Sequence, residues 1–265
     1  MVRCFDDANI THVEGSVDPI RDIEIINLEL TLADLQTVEN RISKVERKAL
    51  TTRDKDAMAE LEVLKKLQAV LLEGKAARSV DLDKEEYLLV KNYSLLTLKP
   101  MIYVANMSED DIGDPESNGY YQKVCEYAAS ENNLVIPISA KIEEELSEMD
   151  KEDKEMFLQD LGIEESGLDK VVKAAYNILG LCTFLTAGED ECRAWTFKKG
   201  MSAPECAGII HSDFQRGFIK AEVYRFEDID HYESEAAIKE AGKLRIEGKD
   251  YLVQDGDVVH FRFNV

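Results

Sequence analysis

From Ile23 to Leu50 the apolar residues recur every three or four positions, at Leu28, Leu32, Leu35, Val38, Ile42, Val45 and Ala49. That spacing places them on one face of a long helix. Asp18-Pro19 supplies its start, because proline is tolerated in a first turn. Thr51-Thr52-Arg53-Asp54 predicts a turn, and Ala57, Leu61, Leu64 and Leu71 continue the spacing on a second helix that Gly74 ends. Two long helices joined by a short turn hide their stripes by packing antiparallel. Residues 27–90 therefore read as a helical hairpin, closed by a shorter helical stretch over Asp83–Tyr93.

The pattern then changes period. Residues 98–105 form a near-continuous apolar run, as in a buried parallel strand. Tyr120–Ser130 reads as a crossover helix and Leu134–Ile138 as the next parallel strand, a right-handed strand–helix–strand unit. Val2–Phe5 reads as a short strand. Residues 142–160 predict one acidic, solvated helix, and Leu168–Leu179 a more apolar one. Beyond Gly180-Leu181, strand-like runs at Thr183–Thr186, Arg193–Phe197, Phe218–Phe226 and Val258–Asn264 alternate with turns at Gly248-Lys249-Asp250 and Asp255-Gly256-Asp257. Short helices fit Ala203–Ile210 and Glu233–Ala241. Together these predict a small α+β domain.

Composition fits a folded chain, with 45% hydrophobic and 32% charged residues in 265. No uncharged apolar run approaches the roughly 18 residues of a membrane span, and the N-terminus lacks a basic-then-apolar leader, so the expected location is cytoplasmic. The five cysteines, Cys4, Cys125, Cys182, Cys192 and Cys206, are scattered, and the four histidines have no zinc-ligand spacing. No metal site is expected from them. A net charge of −22 argues against broad adhesion to nucleic acid or anionic membrane, and no DNA specificity is expected. The charge is uneven: residues 40–78 carry ten basic against six acidic residues, and residues 143–165 eleven acidic against two basic. The basic segment is a candidate RNA contact; an ordinary solvated helical face accounts for it as well.

Candidate chemistry sits at the strand ends. Asn106-Met107-Ser108-Glu109 follows the first central strand, and Ser139-Ala140-Lys141 the second. An amide side chain and a carboxylate read the edge of a nucleobase through complementary donors and acceptors, and ligands of α/β sheets bind at this edge. From spacing alone, these loops fit a base-reading site and ordinary polar turns equally. Glu109 replaces the aspartate of a guanine-reading Asn-Lys-x-Asp loop and is one methylene longer, which disfavours guanine. No Gly-x-x-x-x-Gly-Lys-Ser/Thr phosphate loop occurs anywhere in the 265 residues. His12, in a loop after the first strand, is a candidate near a hydrolytic water; a surface or capping histidine is the alternative.

These loops, together with Val2-Arg3-Cys4-Phe5, Ile10 to Gly15, Asp18 to Glu24, Ala194-Trp195-Thr196, Ile210 to Phe214 and the tail from Gly248 through His260-Phe261-Arg262-Phe263-Asn264-Val265, resemble YchF-type, Obg-like ATPases across the whole chain. The resemblance implies an α/β fold. A partial G-domain (P-loop NTPase) parallel sheet, residues 1–26 and 91–180, would be interrupted by a coiled-coil insertion, 27–90, and followed by a C-terminal β-grasp TGS domain (α+β), 181–265. It implies an ATP hydrolase that uses GTP more weakly, needs Mg²⁺ and associates with ribosomes. Base contacts would fall to Asn106, Met107 (through its main chain), Glu109, Ser139 and Ala140, and a role in hydrolysis to His12. The family's phosphate loop, switch segments and metal ligands have no counterpart here, so an N-terminally truncated member is expected, inactive alone, whose residues 1–15 pack poorly.

Two or three base contacts at about 1 kcal/mol each, somewhat more to a charged group, give roughly millimolar affinity or worse. Two functions are therefore carried forward. One is a ribosome-associated ATPase whose activity belongs to a longer parent. The other is a non-catalytic ribosome- or RNA-binding module built from the hairpin and the TGS domain.

Overall fold

The computed structural model describes residues 1–11, 15–52, 54–188 and 191–264. They divide into two compact units, Met1–Ala174 and Ala175–Val265.

In the first unit, β1 (Val2–Arg3), β2 (Ile102–Asn106) and β3 (Leu134–Ile138) form a parallel sheet in the order β1-β2-β3. The register pairs Val2 with Ala105 and Asn106 with Ile138, so the last residues of β2 and β3 lie side by side. Helix α1 (Pro19–Thr52) precedes β2, and α4 (Gly119–Ser130) crosses from β2 to β3. Ile23 of α1 and Tyr121, Val124 and Ala128 of α4 pack with Val2, Cys4, Tyr103, Ala105 and Met107 in one cluster. Val2 and Cys4 are thus buried, contrary to the loose packing expected of residues 1–15; residues 6–11 are exposed as expected. Burial pushes the Cys4 thiol up to about 12, so it stays protonated and unreactive.

Strand β2 is shorter than the apolar run around it. Pro100 lies just before it and lacks the N–H that a ladder needs. Leu98, at the start of that run, packs into the hairpin cluster instead.

The hairpin forms as the spacing predicts. Asp18 Oδ1 accepts from the amides of Ile20 and Arg21 at the start of α1, which runs 34 residues, about 50 Å at 1.5 Å per residue. It continues without a break through residues 26 and 27, where the insertion was expected to begin. Helix α2 (Lys55–Leu72) is capped by Asp54 and ends at Gly74, whose φ of +74° suits glycine. Helix α3 (Lys84–Val90) begins with an Asp83–Glu86 capping box. Val38, Val63, Leu64, Leu67, Leu71, Val90 and Leu95 form the hairpin core, and Val45, Ala49, Ala57 and Leu61 a second cluster nearer the turn.

The N-terminal end of the predicted stripe is wrong. Leu28 and Leu32 are 53% and 54% exposed, and the buried positions there are Ile23, Thr31 and Asp34. Asp34 explains the rotation. Its carboxylate accepts from the amides of Leu96 (2.8 Å) and Thr97 (2.7 Å) and from the Thr97 hydroxyl (2.6 Å), while Thr97 Oγ1 accepts from Ala77 N at 2.9 Å. The helix turns a carboxylate inward because the chain entering β2 carries otherwise unpaired amides.

The acidic run 142–160 is two helices, α5 (Ala140–Glu148) and α6 (Lys151–Asp160). Asp150 separates them by capping α6 through Asp153 N. Helix α7 (Gly167–Leu179) follows, and its last residues group with the second unit.

The second unit is a five-stranded mixed sheet in the order β5-β4-β8-β6-β7, formed by β4 (Leu181–Ala187), β5 (Cys192–Lys198), β6 (Phe218–Arg225), β7 (Arg245–Glu247) and β8 (Asp257–Phe263). First and last strands, β4 and β8, run parallel at its centre and the other pairs are antiparallel, the β-grasp arrangement. Helix α8 (Ala203–Ile210), with Ala203, Cys206 and Ala207 buried, packs on Phe184, Phe197, Val223, Val259 and Phe261. Three elements escape the pattern: α9 (Ser212–Arg216), α10 (Phe226–Tyr232) and β7. Phe226 begins a helix rather than ending a strand. The helix expected from Glu233 starts at Glu235 as α11 (Glu235–Glu240), because Glu233 adopts φ +61°.

Candidate functional site

Parallel pairing of β2 and β3 brings the two polar loops together at the strands' C-terminal edge. Asn106, the last residue of β2, accepts from Cys4 N at 2.8 Å through its main-chain oxygen and from Ala140 N at 3.0 Å through its side-chain Oδ1. The second bond ties the first loop to the N-terminus of α5, where Ser139, though buried, provides no side-chain cap. Glu109 Oε2 accepts from Lys141 Nζ at 2.5 Å, and that bond holds the lysine above its ordinary pKa. Both groups are solvent-facing, so the pair orients the loop more than it stabilises it.

Met107 is 2% exposed and its amide donates to Ile138 O at 2.8 Å. The main-chain donor at this position is therefore already used.

The surroundings brace both loops. Asn118 caps α4 by accepting from Tyr120 N and Tyr121 N, and its Nδ2 donates to Cys4 O (3.1 Å) and Asp111 Oδ2 (2.9 Å). Glu143 of α5 accepts from Gly167 N (2.7 Å) and Leu168 N (3.2 Å), fixing the start of α7. Gly167 sits so close that a Cβ there would lie 2.6 Å from Ile138 Cγ2.

Asn106, Met107, Glu109, Ser139 and Ala140 are thus gathered at one edge. His12 lies outside the described residues. Asn118 and Asp111 were missed by the sequence reading, which took in Lys141 only as part of its loop and assigned it no contact. Lys141 had a signal, being a cation directly after the Ser-Ala pair; the role of Asn118 depends on its tertiary contact with Cys4, and that of Asp111 on its bond to Asn118. Among the described residues no group of three or more His, Cys, Asp or Glu side chains converges as a metal site.

The YchF-GTPase_C family, described as a protein of unknown function (DUF933), matches residues 181–264. The ribosome-binding ATPase YchF of Bacillus subtilis is 59% identical over 265 residues, covering 100% of this chain and 72% of its own. This chain belongs to the YchF family of Obg-like ATPases. Within the family, the ribosome-binding ATPase YchF of Haemophilus influenzae is 51% identical over the same span. Obg-like ATPase 1 of Gallus gallus is 44% identical over 268 residues, covering 100% of this chain and 67% of its own. The solved structure of the Schizosaccharomyces pombe YchF GTPase superposes with a TM-score of 0.84 at 36% identity, over 98% of this chain and 70% of that one. A GTP-binding protein from Pyrococcus horikoshii shares the fold, with a TM-score of 0.59 at 19% identity.

Proposed function

We propose that this chain supplies the base-reading and ribosome-docking parts of a ribosome-associated ATPase, and that by itself it holds adenine weakly and does not turn over ATP. The observation that carries the reading is the double tie across the loops: Asn106 to Ala140 and Glu109 to Lys141, with the Met107 amide already donated to Ile138. A free main-chain carbonyl accepts the exocyclic amine of adenine and repels the carbonyl oxygen of guanine. Glu109, engaged by Lys141, is a poor acceptor for guanine's ring N–H and exocyclic amine. Ser139 and Ala140 would close over the base.

The residues present fit the base of ATP and not its phosphates, because no phosphate loop exists in the sequence. They do not fit Mg²⁺ either, since among the described residues no carboxylate cluster is placed for it. No hydrolytic step is derived through either group.

Titration of the 265-residue chain, followed by NMR shifts of the Asn106 and Ala140 amides, tests this. Adenosine and ATP are expected to bind equally within about threefold, at roughly millimolar Kd, with no dependence on Mg²⁺ and with guanosine weaker. Micromolar, Mg²⁺-dependent ATP binding would remove the proposal.

For ribosome docking the hairpin is the candidate surface, but its cations are not equivalent. Arg41 is bonded to Glu60, which also accepts from Tyr93. Burial pushes the Glu60 carboxyl up, and the Arg41 and Tyr93 bonds outweigh it, holding the pKa below the usual value. Lys48, Lys65 and Lys66 pair with Asp54, Glu46 and Glu86. Lys44 and Arg47 are exposed and have no ion-pair partner among the described residues. Lys44→Glu/Arg47→Glu is therefore expected to weaken co-sedimentation with ribosomes at least tenfold and to flatten its salt dependence. Unchanged sedimentation would take these two cations out of the contact.

A further inference from the structure

A β-sheet edge presents unpaired amides and carbonyls that can template another strand, and natural proteins usually blunt such edges. Three of the four edges here are blunted. Strand β1 has two residues, β7 has three, and β3 contains Pro137. The fourth, β5, runs seven residues as CRAWTFK with no proline and no bulge.

Its free groups follow from the ladder. Lys199 N donates to Gly180 O at 2.8 Å and Gly188 N to Glu191 O at 3.0 Å. In the antiparallel register between them, Phe197, Trp195 and Arg193 also turn their main-chain groups toward β4. Cys192, Ala194 and Thr196 turn theirs outward, and all three are exposed. Among the described residues, nothing meets the main-chain amides or carbonyls of Ala194 and Thr196.

The edge also differs in charge from the rest of the molecule. Residues 192–199 hold Arg193, Lys198 and Lys199 and no acid, in a chain of net charge −22. Among the described residues, Glu191 pairs with Arg193 at 3.9 Å, and the sequence of the turn before the strand also holds Glu189 and Asp190.

We propose that β5 is a docking edge for an extended, acidic peptide segment of a partner protein, which adds to the sheet as a sixth, outer strand. Alternating outward donors and acceptors match another polypeptide backbone, and the three cations select acidic side chains on it. A second copy of this chain fits less well, because self-pairing would set two basic edges and two acidic bodies against each other. RNA also fits less well. Phosphates only accept hydrogen bonds, and the Trp195 ring is already stacked on Phe184 (14° between planes) and under Arg193, whose guanidinium carbon is 4.2 Å from the ring centroid. No ring face remains for a base.

Fluorescence anisotropy with the full chain tests this, using as probe a labelled, end-capped octapeptide of alternating glutamate and valine. It is expected to bind at least tenfold tighter than a lysine–valine octapeptide, and at least tenfold tighter than its own analogue N-methylated at every second residue to remove one edge of donors. Ala194→Pro removes an outward N–H while leaving the β4 ladder intact, and should weaken binding at least tenfold, as should Lys198→Glu/Lys199→Glu. Wild-type affinity in a folded Ala194→Pro chain would overturn the proposal. Equal binding of the N-methylated peptide would do the same, and decides the matter if Ala194→Pro does not fold. Displacement by a uridine octamer as readily as by unlabelled peptide, or a wild-type dimer that Ala194→Pro dissolves, would overturn it in favour of RNA or of a second copy.

Discussion

Asp34→Ala is expected to destabilise the first unit by about 3–5 kcal/mol. The carboxylate is 2% exposed and accepts three hydrogen bonds, two from the main-chain amides of Leu96 and Thr97 and one from the Thr97 hydroxyl. Alanine leaves the Thr97 amide and hydroxyl buried beside Leu95 and Ala77, and the Leu96 amide half-buried. A buried donor without a partner costs roughly 1–3 kcal/mol, more than the net value of the bond it loses, because the group was desolvated on folding and recovers nothing. Asp34→Asn keeps one acceptor oxygen but aims an NH₂ at a donor, and should lose about 2 kcal/mol by the same accounting. Urea unfolding followed by far-UV circular dichroism, which reports the long helices, reads the effect. With a slope of about 2 kcal/mol/M, the midpoint of the alanine variant falls by roughly 2 M. A shift under about 0.5 M, or an Asn variant worse than Ala, would show that water enters and satisfies the site.

Asp34 also marks the limit of what the sequence conveys. The hairpin was legible because a three-to-four spacing sustained from Leu28 to Ala49 has few alternatives to a helix. Which face is buried was not, at the N-terminal half, because an acid in an amphipathic pattern reads as solvated. Only the partner amides, 62 and 63 residues away, turn it inward. The same separation explains the strand that was drawn too long: residues 98–105 look uniform, yet Leu98 serves the hairpin core and Tyr103 and Ala105 the sheet.

At the candidate site, the meeting of the two loops was readable, since parallel strands on either side of a crossover helix align their C-terminal ends. The direction of the groups was not. That Asn106 spends its oxygen on Ala140, and Met107 its amide on Ile138, is a matter of register and rotamer, which periodicity does not carry. Strand β7 was lost for a simpler reason: three residues give alternation too little length to register.

Phe184→Ala is expected to cost the second unit about 3–5 kcal/mol, the range for removing a fully buried aromatic ring. Phe184 is 0% exposed, meets Phe197 and Phe261 edge-on at 5.7 and 5.8 Å between centroids, and lies nearly parallel to Trp195 at 6.5 Å. It joins β4 to β5 on one side and β8 on the other, so the cavity opens at the centre of the sheet, with Met201 at the cluster's margin as the flexible side chain nearest to hand. Phe184→Leu retains most of the volume and should lose only about 1–1.5 kcal/mol. Trp195 is the only tryptophan in the chain, so its emission follows this unit while circular dichroism follows the hairpin. The Trp195 transition should move to lower denaturant in Phe184→Ala, with a red-shifted emission already in buffer. Strand β5 hydrogen-bonds to β4 alone, so the acidic octapeptide should also bind more weakly to this variant although no residue of the edge has changed. A Phe184→Ala chain within about 1.5 kcal/mol of wild type would mean that the aromatic cluster closes over the gap, and that β5 is held in place by its backbone ladder rather than by the ring beneath it.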